Sequence, residues 1–197
     1  YVGCVGSYDE RGRKIAQAVS RNLIRAGVSF GILGEREPCD GNEVRVLGES
    51  GLFEYLAETN IALFRQLGVR KIITLDPHAF NAFRKEYPAF GGDFEVLHYS
   101  QVFSRLIESG NLKPGNFAAR VTFHDACYLG RHGGEYEAPR NILRAIPGVE
   151  LVEMRQNRAN TLCCGGGGGN FFTDILGGEG DSPSRIRVRQ ALETGAE

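Results

Sequence analysis

Two adjacent thiols, Cys163 and Cys164, lead directly into a run of five glycines, Gly165 to Gly169, and then Asn170. Glycine loses more conformational freedom on folding than any other residue, so a run this long is costly unless something must approach bare backbone. A flexible linker is the plain alternative. Linkers, however, seldom begin with a vicinal thiol pair and end in Phe171-Phe172. The pattern points to a thiolate site whose metal centre sits against main-chain amides.

The remaining totals narrow the setting. A chain of 197 residues can bury one sizeable core or two small repeated ones. A formal charge of −1 with both signs scattered gives no electrostatic footprint for nucleic acid or an anionic membrane. No apolar run approaches the roughly 20 residues of a membrane span, and no signal peptide is visible, so this segment is expected not to insert in a membrane. The chain opens inside what reads as a strand and stops just after a helix. It therefore reads as part of a longer protein, whose other segments are where any membrane anchor would lie. The five cysteines are Cys4, Cys39, Cys127, Cys163 and Cys164. An odd, widely spaced set is a poor disulfide framework, so a reducing, cytoplasmic compartment and metal ligation are expected.

Hydrophobic periodicity predicts alternating helices and strands. Tyr1-Val2-Gly3 reads as the tail of a strand. Ser7 and Asp9 offer caps for a helix with apolar face Ile15, Ala18, Val19, Leu23 and Ala26, ended by Gly27. Val28 to Leu33 reads as a buried strand. A second helix shows Leu52, Tyr55, Leu56, Leu63 and Leu67 at helical spacing. A short strand with Ile72 and Ile73 delivers Asp76-Pro77-His78-Ala79 at its carboxyl end. Strand Phe94 to Leu97 follows, then a helix with Val102, Phe103, Leu106 and Ile107. Later come strand Val121 to Phe123, a helix over 138–146, strand Leu151 to Met154, and a helix started by Ser182-Pro183 and ending at Gly195. Such alternation predicts an α/β fold: two tandem, similar units, each a small, largely parallel sheet flanked by helices. The boundaries are 1–118 and 119–197.

Internal repetition supports that division. Asn22-Leu-Ile-Arg-Ala-Gly-Val matches Asn141-Ile-Leu-Arg-Ala-Ile-Pro-Gly-Val, each entering a predicted strand. Between Cys4 and Cys39 lie 34 residues, and between Cys127 and Cys163 lie 35. A further 34 residues separate Gly41 from Asp76, and the same spacing from Gly165 reaches position 200, past Glu197.

Taken together, HDACYLGRH (124–132), EAPR (137–140), VEMR (152–155) and CCGGGG (163–168), with GCVGSYD (3–9), DPHAFN (76–81) and EYP (86–88), resemble the cysteine-rich repeat of heterodisulfide reductase subunits and their relatives. Those relatives include iron–sulfur subunits of glycolate and lactate oxidation and of flavoprotein–quinone oxidoreductases. The resemblance implies two copies of a repeat whose five cysteines hold a four-iron cluster, non-cubane in the best-known members. By it, Cys127, Cys163 and Cys164 carry over as ligands, with Gly165, Gly166 and Gly167 lining the cluster, and the remaining two ligands fall beyond Glu197. A cluster held by this segment alone is then under-coordinated. Thiolates suit iron–sulfur centres or zinc, and zinc on the three cysteines plus His124 is the chemical rival.

The first copy departs from the pattern. Cys4 and Cys39 match, but Asp40 replaces the second cysteine of Cys-Cys-Gly, and Asp76 and Ala79 replace Cys-x-x-Cys. The reading is a decayed copy without a cluster; a mononuclear site from Cys4, Cys39, Asp76 and His78 is the sharper alternative, and a redox pair of Cys4 and Cys39 remains open. His124-Asp125 reads as a turn, Arg131 and Arg140 as surface arginines or charge partners of the cluster, His98 and His132 as structural, and Phe171-Phe172 as a water seal. Phosphate binding is rejected: Asn170 stands where the third glycine of a dinucleotide fingerprint counted from Gly165 falls, and no Lys-Ser/Thr follows the run. The resemblance implies an iron–sulfur electron-transfer domain of a heterodisulfide reductase-like or flavoprotein-to-quinone oxidoreductase. Its partners would be a flavoprotein and ferredoxin-like or quinone-reactive membrane domains. The alternative is a zinc-bound or metal-free docking module.

Overall fold

The computed structural model describes residues 1–170 and 180–196. The chain divides into two compact units, Tyr1–Lys113 and Pro114–Glu197.

In the first unit, α1 (Gly3–Tyr8) is followed at once by α2 (Glu10–Arg25), whose first turn is capped by Asp9 accepting from the Gly12 amide at 2.7 Å. Next come α3 (Asn42–Val46) and α4 (Ser50–Gln66). Strand β1 (Lys71–Thr74) leads to Asp76, which caps α5 (Pro77–Asn81) by accepting from the His78 amide at 2.7 Å. A π-helical turn (Ala82–Glu86) and a 3-10 turn (Tyr87–Phe90) carry the chain to β2 (Glu95–His98) and α6 (Tyr99–Glu108). Strands β1 and β2 pair in parallel, Ile72 opposite Val96 and Thr74 opposite His98. A parallel pair needs a crossover, and α5 with its two turns supplies it. Beneath lies an aromatic core. Phe83 meets Phe64 edge-on at 5.7 Å and Tyr87 at 4.8 Å, and all three are buried.

In the second unit, β3 (Ala119–Val121) and β4 (Val149–Leu151) form another parallel pair, Ala119 opposite Val149. Between them lie a π-helical turn (Tyr128–His132) and α7 (Glu137–Ala145). Ser182 caps α8 (Pro183–Leu192) by accepting from the Arg185 amide at 3.4 Å; Gly195, with φ +69°, stands beyond its end. The α/β expectation of small parallel sheets among helices holds in both units. Among the described residues no helix is long and apolar enough to cross a membrane.

Several local expectations fail for physical reasons. Gly3 opens a helix instead of closing a strand. Val28–Leu33 forms no ladder, because an apolar cavity of about 480 Å³ separates it from β1; Ile32 is 64% exposed. The buried stripe of α4 is Phe53, Ala57, Asn60, Ile61 and Phe64, not the leucine face, and Leu52, Tyr55 and Leu67 are exposed. Ile15 likewise faces solvent on α2. The strands expected at 121–123 and 151–154 begin two residues earlier, and the second is one residue shorter. Phe171 and Phe172 lie outside the described residues.

Truncating Phe83, which touches Tyr1, Phe64 and Tyr87, leaves a void at the centre of this core. Phe83→Ala is expected to destabilise the first unit by about 3–5 kcal/mol, read from native-state hydrogen exchange of the Ile72 and Val96 amides.

Candidate metal centre

The second unit is built around Arg140. Its side chain has 0% exposure, and a buried guanidinium is tolerated only if its charge and its five N–H groups are matched. All five are. Nη1 and Nη2 donate to Asp125 Oδ1 and Oδ2 at 2.6 and 2.8 Å. Nε and Nη2 donate to Glu153 at 2.7 and 2.9 Å. Nη1 also reaches the Tyr136 carbonyl at 2.7 Å, and the group lies 5.5 Å from the Phe123 ring centroid. Burial pushes the Asp125 carboxyl up, but the hydrogen bonds from Arg140 and the Arg158 amide outweigh it and hold its pKa below the usual carboxylate range.

That triad positions the thiol loop. Asp125 Oδ2 accepts from the Arg158 amide at 2.7 Å, and Arg158 takes the unusual φ of +50°. Arg131, from the π-helical turn after Cys127, donates to the Ala159 carbonyl at 2.9 Å and to that of Thr161. The segment carrying Cys127 thereby grips the short 3-10 turn (Arg158–Asn160) that delivers Cys163 and Cys164. The Cys127 thiol interacts electrostatically with Cys163 and Cys164. Burial pushes the Cys127 thiol up, and nearby Cys163 and Cys164 push it further. Gly165, at φ +77°, turns its amide back to donate to Cys163 Sγ at 3.4 Å, a turn that no residue with a Cβ makes cheaply. A Cβ on Gly166 would lie 3.6 Å from Cys164 Sγ. Asn170 Nδ2 closes the loop on the Gly165 carbonyl at 2.9 Å.

Arg187 adds the most informative group. It is buried on α8; its Nε donates to His124 Nδ1 at 2.9 Å and its Nη1 to the Gln156 carbonyl at 2.8 Å. Its buried Nη2 has no hydrogen-bond partner among the described residues, and its charge interacts with Asp125 and Cys164. An orphaned cationic donor beside a thiol is what an anionic sulfur-rich group would satisfy. Burial and the Arg187 charge push the His124 pKa down. His124 is thus engaged by a guanidinium, which weakens its case as a zinc ligand.

The first unit repeats the loop with other chemistry. Gly41, at φ +78°, turns its amide to donate to Cys39 Sγ at 3.4 Å; a Cβ there would meet the Phe53 ring at 2.8 Å. The Cys4 and Cys39 thiols interact electrostatically with each other. Asp40 is buried; desolvation and the neighbouring Asp76 charge raise its pKa to about 7. His78 Nδ1 pairs with Glu43 Oε1 at 2.8 Å and lies 3.8 Å from Asp76 Oδ1. Burial lowers its pKa, but these acids outweigh burial and raise it. Among the described residues, no group of three or more His, Cys, Asp or Glu is arranged to hold a metal ion. Cys4, Cys39, Asp76 and His78 therefore do not form a ready mononuclear site. The donors of the second unit, thiols on a glycine loop with a buried cation near them, are of the kind an iron–sulfur cluster takes, and among the described residues they close no mononuclear site.

Two sequence readings need correction. Arg140 is not a surface arginine but the most deeply buried charge of its unit. His124-Asp125 is more than a turn, since each side chain anchors a buried arginine. Arg187 and Glu153 escaped the sequence reading; the only signals were an acid inside VEMR and an arginine one turn into α8. His98 behaves as expected of a structural histidine: it caps α6, its Nε2 meets the Leu75 carbonyl at 3.2 Å, and burial pushes its pKa down to about 4.

Two small α/β units, each turning a Cys-x-Gly loop so that an amide faces a sulfur, define a cysteine-rich α/β protein. The profile of the cysteine-rich domain family, CCG, matches residues 1–84 and 121–197, and the chain belongs to that family. It is 47% identical over 98% of its length to the probable iron-sulfur-binding oxidoreductase FadF of Bacillus subtilis, covering 27% of that protein. It is 42% identical over 84% of its length to the EtfAB:quinone oxidoreductase of Syntrophomonas wolfei, covering 23% of it. With one component of the dihydromethanophenazine:CoB–CoM heterodisulfide reductase of Methanosarcina barkeri it shares 35% identity over 100% of its length and 49% of that component. The chain thus spans from 23% to 49% of the length of these relatives. No solved structure matches it.

Removing the central cation strands two carboxylates, one of them buried. Arg140→Met is expected to cost the second unit about 3–5 kcal/mol, measured by its denaturant midpoint. For Asp40 the sign follows from its raised pKa. Between about pH 4 and its folded value of about 7 the folded unit keeps a proton that the unfolded chain has released, so stability falls as pH rises. Urea midpoints of the first unit should drop between about pH 4.5 and about pH 6 by up to about 1.4 kcal/mol per pH unit, and Asp40→Asn should remove that drop.

Proposed function

We propose that the chain is the iron–sulfur electron-transfer domain of an oxidoreductase, with its cluster held in the second unit. The observation that carries this reading is a glycine loop whose thiols, Cys163 and Cys164, both act on the Cys127 thiol, while the Arg187 charge acts on Cys164 and its buried Nη2 has no hydrogen-bond partner among the described residues. Cys127, Cys163 and Cys164 would ligate the cluster, which by family resemblance has four iron atoms in a non-cubane arrangement, and ligands from elsewhere in the full-length protein would complete it. A cluster so held supplies one-electron transfer at a potential set by its surroundings. The protein's own part is to hold the sulfurs, to aim the amides of Gly165, Gly166 and Gly167 towards them, and to place a buried cation that favours added negative charge. The names of the relatives support iron–sulfur binding and a place in a larger redox assembly. A flavoprotein and ferredoxin-like or quinone-reactive membrane domains are the proposed partners, and a reducing, cytoplasmic setting suits free thiols. Division of the chain into two cysteine-rich repeats, the first without a cluster, belongs to the same reading.

A zinc or metal-free docking role has weaker support. Zinc takes four ligands in a tetrahedron, and no such group stands ready among the described residues.

Metal analysis of anaerobically purified full-length protein distinguishes the readings. Iron with acid-labile sulfide and a brown chromophore is expected, and Cys163→Ser or Cys164→Ser should lose most of the chromophore assigned to this site. Stoichiometric zinc, or a chromophore untouched by both substitutions, would sink the proposal.

A further inference from the structure

Strand β1 pairs with β2 along one edge. The Glu95 amide donates to the Arg70 carbonyl at 3.0 Å, and Ile72 stands opposite Val96. Main-chain bonds of a parallel ladder come from alternate residues. Ile72 and Thr74 therefore turn their main-chain groups to β2, and Lys71 and Ile73 turn theirs to the opposite edge. On that edge the Tyr1 nitrogen donates to the Ile73 carbonyl at 2.8 Å. Two residues on, a Cβ added to Gly3 would stand 3.6 Å from Asp76 Cβ. The stretch from Tyr1 to Gly3 thus runs in the same direction as β1, and the Tyr1–Ile73 bond is one rung of a second parallel ladder.

On the amino side of that rung lies the apolar cavity of about 480 Å³. Strand β1 and the segment 28–33 both line it, together with Val19 and Leu23 of α2 and Phe64 of α4. The segment 28–33 has strand composition but joins no ladder, and it leaves apolar Ile32 64% exposed. A slot with main-chain donors along one side and apolar side chains around it fits an extended peptide better than a compact small molecule. A strand laid there brings carbonyls for the β1 amides and side chains for the apolar walls. Because helices border the slot as well, the strand that suits it is apolar on both faces, rich in valine or isoleucine.

We infer that this slot holds an extended apolar segment of the longer protein, the polypeptide joined to the Tyr1 nitrogen, lying parallel to β1 and between β1 and residues 28–33. The chain spans 27% and 49% of the length of two of its relatives, so further polypeptide is at hand. The Tyr1–Ile73 bond sets the register: the residue joined to Tyr1 stands opposite Ile73, and the carbonyl one position further back receives the Ile73 amide. The cavity reaches as far as Val69, so a strand of about five residues spans it. The added strand runs straight into Cys4 and so ties the entry of the first cysteine loop to the sheet. Every group involved lies in the first unit and none is a thiol, so failure here leaves the cluster reading standing, and the reverse.

Hydrogen exchange of the full-length protein tests the added ladder. The amides of Ile73 and of residues 29–33 are expected to exchange at least about a hundredfold more slowly than unprotected peptide amides. The occupant is then identified with a photoreactive Phe30→p-benzoylphenylalanine variant of the full-length protein, irradiated and mapped by mass spectrometry. Phe30 lines the slot and is 37% exposed, so the larger ring has room. The expected cross-link joins this position to the peptide that ends at Tyr1. Exchange of the Ile73 amide within about tenfold of the unprotected rate overturns the inference. A cross-link to a separate polypeptide or to a small apolar molecule, or none to the peptide ending at Tyr1, overturns it equally. Protection of the β1–β2 ladder reports whether the variant folds; if it does not, the same probe at the more exposed Ile32 takes its place.

Discussion

Everything described in the second unit leans on a charged group sealed from water. Arg140 has no exposure, and its desolvation is offset only because Asp125 and Glu153 meet it with four hydrogen bonds. Those acids are then committed: Asp125 uses its second role to seat the Arg158 amide, and Arg131 holds the carbonyls that follow. The thiol loop is therefore positioned by an electrostatic frame more than by apolar packing. The described apolar core of this unit is small, with Leu129, Ala138 and Met154 its buried members. Such a frame costs stability if one member is lost but fixes geometry more sharply than greasy contact does.

The first unit reaches the same local loop by the opposite route. Phe53, Phe64, Phe80, Phe83 and Tyr87 are all buried, and their edge-on contacts set the positions of α4 and the turns after α5. Asp40 sits buried behind Cys39, its acid held protonated towards neutral pH by desolvation and Asp76. A carboxyl there is a poor soft ligand. The two loops share a backbone shape and differ in what their side chains can do.

Much of this was legible in the sequence. The vicinal thiols, the glycine run and the repeat spacing mark both loops, and helix caps such as Asp9 and Ser182 stand where the chain suggests. The failures share one cause: tertiary partners outrank local pattern. Counting leucines on α4 misplaces its face by one residue, because phenylalanines fill the core and Asn60 must turn inward to reach the Cys39 carbonyl. Val28–Leu33 has strand composition but no neighbour close enough to pair. Arg140 and Arg187 look like ordinary surface cations in sequence, since the acids and histidine that bury them come from 13 to 63 positions away.

The amide-to-sulfur bond in each Cys-x-Gly turn comes from backbone and depends on no side chain at the middle position. That position holds Asp40 in one loop and Cys164 in the other, with glycine φ values of 78° and 77°. A single codon change there can remove or restore a thiol while the turn keeps its shape. Thiol count and loop architecture are thus free to vary separately, at little structural risk.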